Sequence, residues 1–353
     1  MAATMQAAIL AELQQPLIVD DVQLPDELLY GQALVRVHCS TICGSQLGEI
    51  DGVKGPDRFL PHLLGHEGAG VVEGIGPGVS RVRPGDHVVL HWMKAAGVDA
   101  ATPRYRWRGR DVNAGWVTTF NEAAVVSENR LTPIPDGLDF GVASLLGCAV
   151  TTGLGVLAND AGLRAGESVV VFGAGGVGLN VIQGAALGGA FPVVAVDLYD
   201  DKLALAKWLG ASHTFNARQS DTPERLCGLL GSGADVIVET TGSARVIEQA
   251  YELAGPQGRT VLVGVPRTGD KICIDSLPLH FGKTLIGSHG GGSRPDHDIP
   301  RYVALHQAGK LDLQSLIGAR VALDQVNEAI DGVRGGAFAG RCLIDMSPTE
   351  VGA

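Results

Sequence analysis

Apolar and polar positions follow two rhythms along this chain. Up to about residue 150, short apolar alternations are cut every few residues by Gly or Pro: ALVRVHCS at 33–40, GAGVVEGIG at 68–76, GDHVVLHW at 85–92 and FNEAAVV at 120–126. Alternation with turn signals at short intervals predicts a compact, largely β domain. From about residue 165 the rhythm changes. ESVVVFG (167–173), PVVAVD (192–197), ADVIVETTG (234–242) and RTVLVGVP (259–266) are apolar runs without alternation. Between the first three lie helical patterns such as GLNVIQGAALGGA and DDKLALAKWLGA. Strands alternating with helices predict βαβ units around a doubly wound parallel sheet. The pattern breaks at the glycine-rich SHGGGSRPDHD (288–298). It resumes with a helix over IPRYVALHQAGKL, another over VNEAIDGVRGG and a last strand, RCLIDM. The chain is therefore expected to leave a first domain, build a second and return, giving a β domain of 1–150 plus 290–353 and a parallel-sheet domain of 151–289.

Composition narrows the class. A length of 353 residues suits two domains, and 45% hydrophobic residues supply their cores. Twenty-seven basic against 38 acidic residues give a net charge of −11, which argues against nucleic acid as a partner. The 50 glycines are about twice the usual share of roughly 7%, so many tight turns and close backbone approaches are expected. No apolar run reaches the ~18 residues of a membrane span, and MAATMQAAILAELQQ does not read as a secretory signal. The six cysteines are scattered rather than arranged as a disulfide scaffold. A cytoplasmic protein without membrane or nucleic-acid partners is the expectation. Cys39, Cys227, Cys273 and Cys342 are read as core residues.

One loop carries a phosphate-binding signature. Gly173-Ala174-Gly175-Gly176-Val177-Gly178 is a G-x-G-x-x-G with a predicted strand before it, a helix after it, and a second strand ending in Asp197. Gly173 would make the turn, Gly175 would let backbone approach a pyrophosphate, and Gly178 would let the helix pack on the sheet. The first turn of the helix, from Gly176 on, would supply N–H donors. Asp197 suits the two ribose hydroxyls of NAD and repels the extra phosphate of NADP. The bland alternatives are an ordinary βα turn and a helix-capping aspartate.

Three segments of the β domain hold residues that suit a soft divalent metal: Cys43 in TICGSQLGE, His66 with Glu67 in GHEGAG, and Cys148 in LLGCAVTTG. Two thiolates and one imidazole leave a fourth tetrahedral position open on Zn²⁺, as in catalytic sites. Their long spacings match no compact metal motif. Taken singly, Cys148 reads as a buried small hydrophobe and His66 as a satisfied loop histidine rather than as ligands.

Together, Cys43-Gly44-Ser45, Gly65-His66-Glu67-Gly68, GDHVV at 85–89, Gly147-Cys148 and the Gly173 loop resemble the zinc-dependent medium-chain alcohol dehydrogenase family, in its order and over nearly the whole chain. The resemblance implies a GroES-like catalytic domain joined to a Rossmann domain, assembled as a homodimer or homotetramer through the latter. It implies NAD and one catalytic Zn²⁺ per subunit on Cys43, His66 and Cys148. The metal would lower the pKa of a primary or secondary alcohol, whose alkoxide then passes hydride to the nicotinamide. Ser45 would take the substrate proton, and Glu67 would stand behind the metal. Thr152 and Val177 would pack the nicotinamide, Lys202 would reach the ribose, and Arg341 would lie near the pyrophosphate. Val265 and Ser288 complete the cofactor-binding candidates. Trp92 and His289 are the substrate-pocket candidates.

The chain departs from that family at three places. Gln46 stands where the family usually has Asp beside the metal-binding histidine. Gly48 replaces a relay histidine, so the proton would leave through water or another group, with Glu49 and Asp51 as candidates. The stretch WMKAAGVDAATPRYRWRGRDVNAGW holds none of the four cysteines that bind a structural zinc in many members. Within it, Arg104-Tyr105-Arg106-Trp107-Arg108 and Arg110 alternate as in a strand. They read either as a solvated edge with charged gatekeepers or, with Arg294, His289 and His297, as a wall for an anionic substrate, sugar or cyclitol. Two rival functions remain: a zinc-free NADPH-dependent enone reductase, and a catalytically silent NAD-binding protein.

Overall fold

The computed structural model describes residues 3–346. They form two compact units. The first comprises residues up to Cys148 together with Arg294–Ala308 and the chain from Ile317 onward; the second comprises Ala149–Ser293 and Gly309–Leu316. Among the described residues no helix is long and apolar enough to cross a membrane.

The first unit is built mainly of strands. Thr4–Leu10, Ile18–Gln23, Arg104–Trp107, Arg110–Asn113 and His62–Leu63 close a barrel. Beside it runs a sheet in the order Leu131–Pro133, His87–His91, Glu67–Ile75, Gln32–Thr41, Arg341–Asp345, Ile317–Ala322, with Ala123–Ser127 also paired to Gln32–Thr41. The alternation of ALVRVHCS is visible in the burial of Gln32–Thr41, where Val35, Val37 and Cys39 are buried. The returning strand Arg341–Asp345 pairs antiparallel with Thr41, Ser40 and Cys39. Residues from opposite ends of the sequence thereby become neighbours.

In the second unit six parallel strands run His213–Asn216, Val193–Asp197, Val169–Phe172, Ala234–Glu239, Ala254–Leu262, Thr284–Gly287. Val169, Val170, Val171 and Phe172 are all buried. A strand covered on both faces needs a continuous apolar run, and that is why this half of the sequence does not alternate.

Three sequence expectations change. Gly309–Leu316 joins the second unit rather than the first, because Leu311, Leu313 and Leu316 are buried and the Asp312 N–H donates to Gln183 Oε1 at 3.1 Å. The helix after the glycine-rich break starts at Pro295 rather than Ile299. Pro295 suits the first helical turn, and Asp298 Oδ2 accepts from the Arg294 N–H at 2.7 Å. Cys227 and Cys273 are exposed, unlike the buried Cys39 and Cys342, since Cys227 points outward from the helix Thr222–Leu230 and Cys273 lies in a surface loop.

The arginine-rich stretch is a hairpin, Arg104–Trp107 against Arg110–Asn113. Its two-residue turn puts Arg108 at φ 50° and Gly109 at φ 78°, the positive-φ pair of a tight hairpin turn. Tyr105 and Trp107 enter the barrel core beside Met5, Ile9, Val22 and Val112. Trp107 Nε1 donates to Asp20 Oδ2 at 2.8 Å, and Tyr105 Oη accepts from the Val125 N–H at 2.9 Å. The arginines face outward: Arg108 pairs with Asp20 at 2.7 Å, and Arg108 and Arg110 lie over the Trp107 ring. The stretch is not an edge, since the hairpin pairs with Ile18–Gln23 on one side and His62–Leu63 on the other. Its arginines nevertheless form a solvated face, as the charged-gatekeeper reading expects, rather than a substrate wall. Trp107→Ala should therefore cost about 3–5 kcal/mol in urea unfolding, whereas Arg106→Ala on the exposed face should stay within about 0.5 kcal/mol.

Candidate metal and dinucleotide sites

Local backbone geometry brings the metal-capable side chains of the first unit together. Cys43 is extended (φ −106°, ψ 149°) at the N-cap of the short helix Gly44–Ile50, just past the strand Gln32–Thr41. His66 immediately precedes the strand Glu67–Ile75. Gly65 before it has φ +90°, and a Cβ there would collide with Thr119 and with the Phe120 nitrogen, 2.7 Å away. Cys148 follows the helix Phe140–Leu145, and Gly147 passes so close that a Cβ would meet the Leu90 carbonyl and, at 2.8 Å, Glu67 Cβ. No side chain fits at either glycine, and so both neighbouring ligands can be presented to one point.

Ligand atoms of Cys43, His66, Glu67 and Cys148 all lie within 4.8 Å of one another, the one such cluster found among the described residues. Two sulfurs, an imidazole and a carboxylate suit Zn²⁺ by donor type, so the residues fit the ion the resemblance implies. Cys43, Glu67 and Cys148 are buried. The Cys148 hydrogen bond, with the charges of Arg341 and His66, holds the Cys43 thiol well below its usual pKa against the opposing effect of burial. The same hydrogen bond, then burial, pushes Cys148 up. Burial would lower His66, but the hydrogen bond and charge of Cys43 raise it. Burial raises Glu67, opposed by Arg341.

Arg341, expected at the pyrophosphate, has other partners here. The residue is about 5% exposed. It ion-pairs with Glu67 at 3.1 Å, donates to the Ile42 carbonyl at 2.8 Å and reaches Cys43 Sγ at 3.6 Å. The return of the last strand beside Gln32–Thr41 puts it there, a long-range pairing that local sequence does not announce. Gln46 is fully buried. Its Oε1 accepts from the Cys43 N–H at 2.8 Å, while its Nε2 lies against His66 Nδ1. Ser45 Oγ is 3.5 Å from the same nitrogen. Ser40 and Thr119, not anticipated from sequence, each donate a hydroxyl to the Glu67 carbonyl at 3.0 and 3.1 Å.

Other candidates are placed as follows. Trp92 follows His91, which pairs with Glu67 across the ladder, so it lies at the His66 end of those strands. Its carbonyl accepts from Arg130. Asp51 is paired with Arg334 at 2.5 Å. Glu49 lies on the helix Gly44–Ile50. His62 pairs with Asp57 at 2.9 Å and stays outside the cluster. His297 and Arg294 lie at the start of the helix Pro295–Gln307, with His297 3.8 Å from Asp296.

In the second unit the glycine loop joins the strand Val169–Phe172 to the helix Gly176–Leu187. Gly173 has φ +92°; a Cβ on Gly178 would overlap the Gly173 carbonyl, and the space over Gly175 is open. Gly176 and Val177 begin the helix. Asp197 ends its strand. Its Oδ2 accepts from the Ala174 N–H at 2.7 Å, and its Oδ1 accepts from the Leu198 and Tyr199 N–H groups. Lys202 and Arg218 both lie over the Tyr199 ring. Thr240, absent from the sequence reading, hydrogen-bonds the Phe172 and Gly173 carbonyls at 2.9 and 3.0 Å; the TTG following a strand was its only signal. Thr152 is buried on the helix Ala149–Gly155. Ser288 Oγ accepts from the Gly291 N–H at 3.0 Å. Val265 is 54% exposed, and His289 is exposed beside the glycine turn.

Comparison with known proteins matches an alcohol dehydrogenase GroES-like domain model over residues 30–136 and a zinc-binding dehydrogenase model over residues 176–331. An NDMA-dependent alcohol dehydrogenase from Amycolatopsis methanolica is 34% identical, the alignment covering 94% of this chain and 96% of that one. A crystal structure of an alcohol dehydrogenase zinc-binding domain protein from Burkholderia ambifaria superposes with a TM-score of 0.90 at 29% identity, covering 98% and 99% of the two chains. Benzyl alcohol dehydrogenase from Acinetobacter calcoaceticus gives 0.88 at 27% identity, covering 98% and 100%.

Removing the Arg341 cation while leaving the Glu67 carboxylate buried should be costly. Arg341→Leu is expected to destabilise the first unit by about 3–5 kcal/mol in urea unfolding at neutral pH, and the double variant Arg341→Leu/Glu67→Gln should recover part of that loss.

Proposed function

Because the chain belongs to the zinc-dependent medium-chain alcohol dehydrogenase family, we propose that it oxidises a primary or secondary alcohol reversibly to an aldehyde or ketone, with NAD as hydride acceptor and one Zn²⁺ on Cys43, His66 and Cys148. The observation that carries the reading is the convergence of those three donors and Glu67 within 4.8 Å. Bound there, Zn²⁺ would act as a Lewis acid on the substrate oxygen, and NAD would take the hydride.

The chain's own groups divide the remaining work. Arg341 ion-pairs with Glu67, and its charge, after the Cys148 hydrogen bond, lowers the Cys43 pKa, which lessens the cost of gathering anionic donors around one ion. Ser45 offers a hydroxyl beside His66, and it is the group we assign to receive the substrate proton. With Gly48 in place of a relay histidine and Asp51 engaged by Arg334, the onward route falls to Glu49 or solvent. The Gly173 loop and the helix Gly176–Leu187 would hold the pyrophosphate, Asp197 with Lys202 the adenosine ribose, and Thr152, Val177, Val265 and Ser288 the nicotinamide side. Trp92 would shape the substrate pocket. With the arginine hairpin facing outward and paired, an anionic polyol loses its main support, and uncharged alcohols become the first substrates to test. The free thiols suit a reducing cytoplasm.

Purified without added metal, the protein should carry about one zinc per chain and reduce NAD in preference to NADP when screened with benzyl alcohol, aliphatic alcohols and cyclitols. Cys148→Ala should lose zinc and lower turnover more than about 100-fold. A metal-free wild type that reduces enones with NADPH would overturn the assignment.

The strand Thr284–Gly287 is an edge of its sheet, and Leu277 and Phe281, in the segment that leads into it, are 60% and 69% exposed. An unpaired edge beside exposed apolar residues invites pairing with a second copy, and we assign the homodimer to this edge. Light scattering should report a dimer, and Phe281→Glu should shift it toward monomer.

A further inference from the structure

We infer that Gln46 is a positioning residue whose single amide oxygen is contested by two hydrogen-bond donors, so that loading zinc onto His66 takes that oxygen away from the Cys43 backbone. The inference rests on the zinc assignment above and concerns only how this chain's residues meet the ion. As the chain stands, Gln46 is fully buried, its Oε1 accepts from the Cys43 N–H at 2.8 Å, and its Nε2 faces His66 Nδ1. A neutral imidazole has one donor and one acceptor nitrogen, and an amide has one acceptor and one donor end. With the amide NH₂ donating to Nδ1, the imidazole proton sits on Nε2, and Nε2 has no lone pair to offer a metal.

Binding zinc through Nε2 moves that proton to Nδ1, which then needs an acceptor. The Cys43 backbone N–H remains a donor throughout. Two donors now face one amide oxygen, and the NH₂ end must oppose one of them. A metal–nitrogen bond is the stronger demand, so the amide turns its oxygen to His66 and leaves the buried Cys43 N–H facing NH₂. A carboxylate in the same place, with two acceptor oxygens and no donor, would satisfy both at once. Ser45 Oγ, 3.5 Å from Nδ1, is at the outer limit of a hydrogen bond and is the rival acceptor.

The test uses the full-length protein and zinc alone. Zinc affinity is measured by chelator competition in wild type and in Gln46→Glu, which keeps the side-chain length. Exchange of the Cys43 amide is followed by NMR with selective ¹⁵N-cysteine labelling, which gives only six backbone signals. The expected result is zinc bound about 10–100-fold tighter by Gln46→Glu. In wild type the Cys43 amide should exchange faster with zinc than without it, while in loaded Gln46→Glu it stays protected. Equal affinity of the two proteins, or a Cys43 amide as well protected in loaded wild type as in the variant, overturns the inference and gives the His66 N–H to Ser45. If Gln46→Glu does not fold, the wild-type comparison decides alone: retained protection on loading overturns the inference. Zinc uptake with no such differences sinks this inference only, whereas a wild type that takes up no zinc sinks the metal assignment beneath it.

Discussion

A single buried guanidinium holds the chemistry of the first unit in place. Arg341, about 5% exposed, sits between the Glu67 carboxylate, the Cys43 sulfur and the Ile42 carbonyl. A carboxylate and a thiolate buried together would each disfavour the charged form of the other. The cation offsets both, and it can do so only because the strand Arg341–Asp345 returns to lie against Gln32–Thr41. The metal-capable cluster therefore depends on a contact between the two ends of the sequence, and the local motifs around Cys43, His66 and Cys148 would not suffice without it.

Close backbone approach is the second constraint. Gly65 and Gly147 stand next to the two donors His66 and Cys148, each where a Cβ would strike a neighbouring strand or loop. In the second unit Gly178 has the same relation to the Gly173 carbonyl. High glycine content thus has a local meaning in this protein: at both sites a functional segment is pressed against backbone. The surrounding hydroxyls, Ser40 and Thr119 on the Glu67 carbonyl and Thr240 on the loop carbonyls, fix those approaches with hydrogen bonds.

The stretch between Trp92 and Trp116 shows a different solution to the stability of a small excursion. With no cysteine in it, the segment folds as a hairpin whose Tyr105 and Trp107 are part of the barrel core. Buried aromatics hold it by packing and by hydrogen bonds to Val125 and Asp20. The arginines between them need only reach water, and their alternation follows from the pleat.

By itself the sequence determined the two rhythms and the G-x-G-x-x-G loop with Asp197, because each depends on short-range pattern. It offered Cys43, His66, Glu67 and Cys148 as metal-capable through their chemistry and the family resemblance, and their convergence within 4.8 Å came only from the fold. It determined that arginines and aromatics of the 104–110 stretch lie on opposite faces, and left open whether the arginines meet solvent or substrate; tertiary packing put the aromatics in the barrel core and the arginines outside. It could not reveal that Arg341 belongs with Glu67 and Cys43, that Gly309–Leu316 packs with the second unit, or that Cys227 and Cys273 are exposed. Gln46 was legible as a departure, but not as an amide with one oxygen between two donors. These depend on which distant segments meet and on which face turns inward. Those choices are settled by burial and hydrogen-bond satisfaction over the whole fold, and not by the residues adjacent in the chain.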